Sequence, residues 1–194
     1  MIENFEELRS QALECRRCGL CETRTQVVFG VGNPQAEVMV IGEGPGRDED
    51  EQGLPFVGRS GQLLDKLLEH VGLSRKSNLY IANMVKCRPP QNRDPKPEEI
   101  EQCLGWLRNQ TYLIKPKIIV CVGRIAATSI IDPGFKVTRQ HGEFIDRNGT
   151  LMMGTFHPAA LLRNPGNKPA ALEDMLKLRD KIKEVCTRTY PEQQ

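Results

Sequence analysis

Two sets of residues in this sequence have the types and spacing to do chemistry. Cys15 and Cys18 form a C-x-x-C pair, Cys21 repeats the spacing, and Cys87 and Cys103 stand far downstream with 15 residues between them. Four thiolates from Cys15, Cys18, Cys87 and Cys103 would hold zinc or an iron–sulfur cluster, and spacing does not separate the two. Cys21 leaves the ligand set open. Cys121, in an apolar run, and Cys186, in the last helical segment, read as core or incidental thiols. The chain starts Met1-Ile2-Glu3-Asn4-Phe5-Glu6-Glu7, acidic and without the apolar stretch of a secretory signal. A cytoplasmic protein is the expectation, and clustered cysteines there point to metal or redox chemistry rather than disulfides.

The second set follows apolar runs. Gly42-Glu43-Gly44-Pro45-Gly46 comes directly after Val38-Met39-Val40-Ile41, Asn83 after Leu79-Tyr80-Ile81-Ala82, and His157 after the last such run, before Pro158. Glycine allows the backbone to approach a ligand closely, and proline stiffens the turn. Glu43, between glycines, must find water or a partner. Asn83 can read the edge of a flat ligand or simply end a strand in a turn. His157 can donate to a ligand or serve the fold. Phe56, in Leu54-Pro55-Phe56-Val57-Gly58, can be a stacking plate or a core residue. The acidic run 47–51 could bind a divalent metal, but it lacks the alternation of a calcium loop and reads as a solvated loop. No P-loop, G-x-S-x-G or H-E-x-x-H motif occurs.

The elements that must position these residues are legible as alternating periods. Apolar spacing predicts helices over 5–14, 60–71, from Pro97 through Leu107, 124–131 and 169–186. Continuous apolar runs predict buried strands at 36–41, 79–82 and 117–123, with a short edge strand at 27–32. Segments 143–147 and 151–155 flank Arg147-Asn148-Gly149, a hairpin signal. Four prolines between Arg88 and Pro97 exclude regular structure there. Strands alternating with helices give an α/β three-layer sandwich, a central, mostly parallel sheet flanked by helices. In such sheets ligands bind beyond the carboxyl ends of the strands, where the glycine turn, Asn83 and His157 all fall.

A length of 194 residues suits a single domain, 1–194, with a core of its own. Hydrophobic content of 39% and charged content of 27% fit a globular protein, and no run approaches a membrane span. Net charge is +2, but Lys86, Arg88, Arg93 and Lys96 cluster around the proline loop, and Arg163 and Lys168 lie in another. Local basic loops of this kind can hold phosphates.

Together, Gly42-Glu43-Gly44-Pro45-Gly46, Leu54-Pro55-Phe56-Val57-Gly58, Asn83 before Cys87-Arg88-Pro89-Pro90, and His157-Pro158-Ala159-Ala160-Leu161 resemble the family-4 uracil-DNA glycosylases. The resemblance runs from about Cys15 to the last helix. It implies a four-stranded parallel sheet between helices and a monomeric enzyme. The activity it implies is hydrolysis of the N-glycosidic bond of uracil flipped out of DNA. It assigns Cys15, Cys18, Cys87 and Cys103 to a [4Fe–4S] cluster and leaves Cys21 spare. It makes Phe56 the plate stacked on uracil, Asn83 the reader of its edge and His157 the donor to its O2. Leu161 or Leu162 becomes the wedge that fills the vacated stack, with Arg163, Arg88 and Lys86 against the DNA backbone.

In the better-known family-1 enzymes, an aspartate that positions water falls at Gly44, and an aromatic residue that excludes thymine falls at Gly46. Glu43 is therefore read as a pocket carboxylate, and Glu49 as a candidate for methyl exclusion or water positioning. An iron–sulfur electron-transfer protein and a non-catalytic nucleic-acid-binding module are the competing readings.

Overall fold

The computed structural model describes residues 4–190. Met1–Glu3, part of the acidic start read above, lie outside the described residues. Six strands form one sheet: β1 (Val31–Gly32), β2 (Val38–Gly42), β3 (Leu79–Asn83), β4 (Ile118–Val122), β5 (Phe144–Arg147) and β6 (Thr150–Thr155). The order across the sheet is β1-β3-β2-β4-β6-β5. The four strands expected to be parallel, β3, β2, β4 and β6, are so in that order. The four-stranded count is corrected by β1 and β5, which add antiparallel edges. Asn148 and Gly149 both take left-handed φ, 54° and 83°, which places β5 antiparallel to β6 in a tight hairpin.

Eight α-helices join these strands: α1 (Phe5–Leu13), α2 (Arg47–Gln52), α3 (Arg59–His70), α4 (Pro97–Ile114), α5 (Arg124–Ile130), α6 (Val137–Gln140), α7 (Pro158–Arg163) and α8 (Lys168–Val185). Each central strand is buried on both faces, and successive side chains alternate between two cores. Val38, Val40, Ile118 and Val120 meet Leu64 and Leu68 of α3 and Leu178 and Ile182 of α8. Met39, Ile41, Ile119 and Cys121 meet Leu107 of α4 and Ala126 and Ala127 of α5. A third core joins Leu8 and Ala12 of α1 to Cys103 and Trp106 of α4.

The acidic run after the glycine turn corrects the solvated-loop expectation: it is α2. Asp50, buried, accepts the backbone N–H of Thr25 at 2.9 Å, and Glu49 accepts three others described below. Acids are favoured in a first helical turn, and buried ones survive by taking backbone donors. The chain's end is held in a similar way. Glu37, buried just before β2, accepts from Thr187 N at 3.1 Å, Arg188 N at 2.7 Å and Thr189 Oγ1 at 3.0 Å, and pairs with Lys117 at 3.0 Å.

The carboxyl ends of β2, β3, β4 and β6 all open on one edge. The chain leaves β2 for β3 on one side and reaches β4 on the other, so the sheet has its switch point between β2 and β4. That is where open α/β sheets hold their ligands.

Candidate functional site

A cleft of about 640 Å³ opens at this edge, and Glu43, Gly44, Phe56, Asn83 and His157 all line it. The sheet brings them together from three strand ends. Gly42 and Asn83 are register partners on β2 and β3. A Cβ on Gly42 would fall 2.4 Å from the Phe56 ring and 2.5 Å from Asn83 Oδ1, so both side chains need the missing atom. Gly123, at the end of β4 with φ 93°, does the same for His157, whose Cβ would lie 2.9 Å from one added there. A Cβ on Gly44 would meet Val85 Cγ2 at 2.7 Å, so a larger side chain there requires Val85 to move.

Asn83 is 1% exposed, and its Oδ1 is the buried side-chain polar atom left without a partner among the described residues. An unpaired buried amide oxygen costs roughly 1–3 kcal/mol. Asn83 lines the cleft, so a ligand that donates to this oxygen recovers that cost.

His157 precedes α7, and its Nδ1 accepts the Ala159 N–H at 3.1 Å. That bond fixes the neutral tautomer with its proton on Nε2. Burial pushes the imidazole down to about 4, with Arg163 adding to the effect and Glu49 opposing it. His157 is therefore a neutral donor at physiological pH. Its ring centroid is 5.9 Å from that of Phe56, tilted by 34°.

Glu43 behaves differently. Burial pushes its carboxyl up to about 6, reinforced by Asp94 and opposed by Arg124. A carboxylate poised near neutrality at a cleft wall is suited to proton transfer. Glu49 is committed to the backbone. Its Oε1 accepts from Val57 N and Gly58 N at 2.9 Å each, and its Oε2 from Gly46 N at 3.1 Å. Glu49 Oε2 also stands 2.8 Å from where a Cβ of residue 46 would be.

Phe56 belongs to the core and to the cleft at once, so its two readings are not exclusive. Its φ is 53°, rare for a bulky residue. Arg75 holds it, a residue with no signal in the sequence. The guanidinium donates to Pro55 O at 2.6 Å and to Phe56 O at 2.8 Å, and pairs with Asp65 at 2.8 Å. Arg124 and Asp94 were likewise missed. They form a 2.6 Å ion pair at the cleft wall.

Two of the residues expected on the DNA face are elsewhere. Lys86 is 2% exposed, and its Nζ donates to Gln110 Oε1 at 2.6 Å and Asn83 O at 3.0 Å. Burial lowers its ammonium to about 8, opposed by Cys103 and Cys87. It cannot reach a phosphate. On α7 Leu161 is completely buried and Leu162 is 36% exposed, so a wedge role for Leu161 does not fit its burial. Arg163 is exposed on the cleft rim, and Arg88 bonds Asn92 at 2.7 Å on the proline loop.

The second pocket lies behind this wall. Cys15, Cys18, Cys21, Cys87 and Cys103 line it, with Trp106, Arg17 and Arg24. All seven cysteines are free. Trp106 Nε1 donates to Cys15 Sγ at 3.2 Å, Lys86 N to Cys103 Sγ at 3.2 Å, and Arg24 Nη1 to Cys87 Sγ at 3.4 Å. Among the described residues no three Cys, His, Asp or Glu converge to hold a single metal ion. The thiols ring a pocket instead. Cys121 is core, as expected.

The geometry can be set beside known proteins. Residues 29–178 match the family model of the uracil DNA glycosylase superfamily. The chain is 43% identical to a type-4 uracil-DNA glycosylase of Thermotoga maritima, over 93% of this chain and 96% of that protein. It is 40% identical to a type-4 uracil-DNA glycosylase of Archaeoglobus fulgidus, over 98% and 97%. A type-5 uracil-DNA glycosylase of Pyrobaculum aerophilum is 32% identical over 70% of this chain.

Proposed function

The chain belongs to the uracil DNA glycosylase superfamily, and we propose that it excises uracil from DNA with the cleft walled by Phe56, Asn83 and His157. The observation that carries this is the unpaired Asn83 Oδ1 inside a cleft with a flat ring on one side and a neutral N–H donor nearby. Uracil supplies what is missing: N3–H donates to Oδ1 while the Asn83 amide N–H donates to O4. Cytosine turns an acceptor toward Oδ1 and a donor toward the amide, and is rejected.

The base cannot react inside the stack. It is flipped out at a cost of about a few kcal/mol, and stacking on Phe56 returns roughly 1–3 kcal/mol. Leu162 fills the gap, and Arg163 and Arg88 face the phosphates. Cleavage of the N-glycosidic bond sends its electron pair into uracil, leaving positive charge on the sugar. His157 Nε2–H, aimed at O2, stabilises the anion without first giving up its proton. Water adds to C1′ and its proton passes to a base, the role of Glu43, whose carboxyl burial lifts to about 6. Glu49 has its oxygens on three backbone donors, so water positioning is withdrawn from it. Lying where a side chain at 46 would start, it is the group to exclude a 5-methyl. The product is an abasic site with an unbroken strand.

The cysteine pocket fits a [4Fe–4S] cluster held by Cys15, Cys18, Cys87 and Cys103. Three of these sulfurs already receive N–H donors, and Lys86 sets a buried positive charge against the thiolates. Bound, the cluster supplies a redox-capable crosslink between α1, α4 and the segment after β3. No step of excision passes through it. No described helix is long and apolar enough to cross a membrane. The proposal keeps the expected cytoplasmic location, a compartment compatible with a DNA substrate.

The test is direct. The protein is incubated with a uracil-containing oligonucleotide and the products are treated with alkali. Strand cleavage that requires both uracil and protein is the expected result. No product on single- or double-stranded substrate overturns the reading.

A further inference from the structure

We propose that Arg75 is a positioning residue for the stacking plate, holding Phe56 in the one backbone conformation that presents its ring to the flipped base. The proposal rests on Phe56 being that plate.

Three observations converge on the same turn. Phe56 has φ 53°, a left-handed conformation that a bulky side chain adopts only when its surroundings impose it. The carbonyls of Pro55 and Phe56 both accept from the Arg75 guanidinium, at 2.6 and 2.8 Å, while the next two backbone N–H groups donate to Glu49. The turn is thus clamped from two sides, by a cation on its carbonyls and an anion on its amides. Asp65 on α3 fixes the guanidinium through Nε and Nη2, at 3.0 and 2.8 Å. On the same helix, a Cβ at Gly61 would fall 2.0 Å from Phe56 O, so the helix leaves room for this carbonyl.

A planar, forked cation is what this geometry requires. Two carbonyls and one carboxylate are met at once, and a lysine ammonium of similar charge cannot span them. Arg75 does not line the cleft, so it acts on the base only through Phe56. Without it the turn relaxes toward φ < 0 and the ring leaves its place beside Gly42.

The test is a double-mutant cycle between Arg75→Met and Phe56→Ala, with Arg75→Lys and Asp65→Asn as variants that keep more of the native contacts. Two quantities are read: kcat/KM on a uracil oligonucleotide, and the inhibition constant for free uracil. R75M is expected to lower kcat/KM and weaken uracil inhibition together, by roughly 10-fold or more, since small misplacements cost that much. R75K and D65N fall between R75M and wild type. In the F56A background, R75M adds no further loss, because the two residues act as one unit. Additive losses, or an R75M protein with wild-type uracil inhibition, overturn the inference. Should R75M fail to fold, the same criteria apply to R75K. F56A without effect on either quantity would instead sink Phe56 as the plate, a separately readable outcome.

Discussion

The two pockets draw on one segment, Asn83–Pro89, and differ in what they leave undone. Asn83 faces the cleft, and Cys87, four residues on, faces the cysteine pocket. Around the cysteines, sulfurs meet N–H donors from Trp106, Lys86 and Arg24. In the cleft, Asn83 Oδ1 has no partner and burial lifts the Glu43 carboxyl. In the first region the polar groups already have partners. The second keeps polar groups unmatched so that a transient guest can match them. Satisfaction belongs to stability and incompleteness to recognition.

Breaking each side should therefore give opposite signatures. The largest effect is expected from Cys87→Ala, which removes one of the four proposed cluster ligands. The visible absorption of the purified protein is lost, and thermal unfolding moves to markedly lower temperature. His157→Ala should leave that unfolding near wild type while kcat falls by roughly 10²–10³, the usual worth of one preorganised donor at a developing anion. Asn83→Asp removes the amide donor but not the shape. Steady-state assays with uracil and cytosine oligonucleotides should show uracil excision down by about 10-fold or more and the preference over cytosine narrowed.

The smallest effect is in pH. The native Glu43 carboxyl, at about 6 against an ordinary 4.5, holds its proton more tightly than in the unfolded chain. Activity should rise as pH climbs through about 6 and the base is freed. Native stability should fall slightly between pH 4.5 and 6, where the unfolded chain binds fewer protons. Glu43→Gln should flatten both trends. His157, depressed to about 4, adds no limb above pH 5.

What the chain revealed in advance depended on periodicity. The central strands carry near-continuous β-branched and apolar runs, so their positions and parallel pairing could be read. The Asn148-Gly149 turn announced its hairpin. β1 could not be read at its true length, because two residues of edge strand carry no period. Asp48 to Glu51 looked solvated because acids usually are, and burial of Asp50 and Glu49 depends on backbone donors from Thr25, Gly46, Val57 and Gly58. Lys86 looked like a phosphate contact for the same reason, its partner Gln110 being 24 residues away. Asn83 and His157 stood out because they follow strands, where α/β sheets concentrate function, and Phe56 only through the motif Leu54–Gly58 and its family resemblance. Arg75 was not, because a guanidinium that serves backbone carbonyls leaves no pattern in the sequence.

The tie between Glu37 and the chain's last described turn has a practical side. Burial works against the Glu37 charge, yet the N–H groups of Thr187 and Arg188, with Lys117 and Thr189, bring its carboxyl down to about 2. Trimming the protein back to α8 would strip that carboxylate of four donors, two from Thr187 and one each from Arg188 and Thr189, and leave it facing Lys117, directly beneath the strand that leads to Gly42. Residues 187–189 are thus a lock on the foundation of the cleft. Fusions, tags and proteolytic cuts made before Tyr190 should be read as changes to the sheet rather than to a tail.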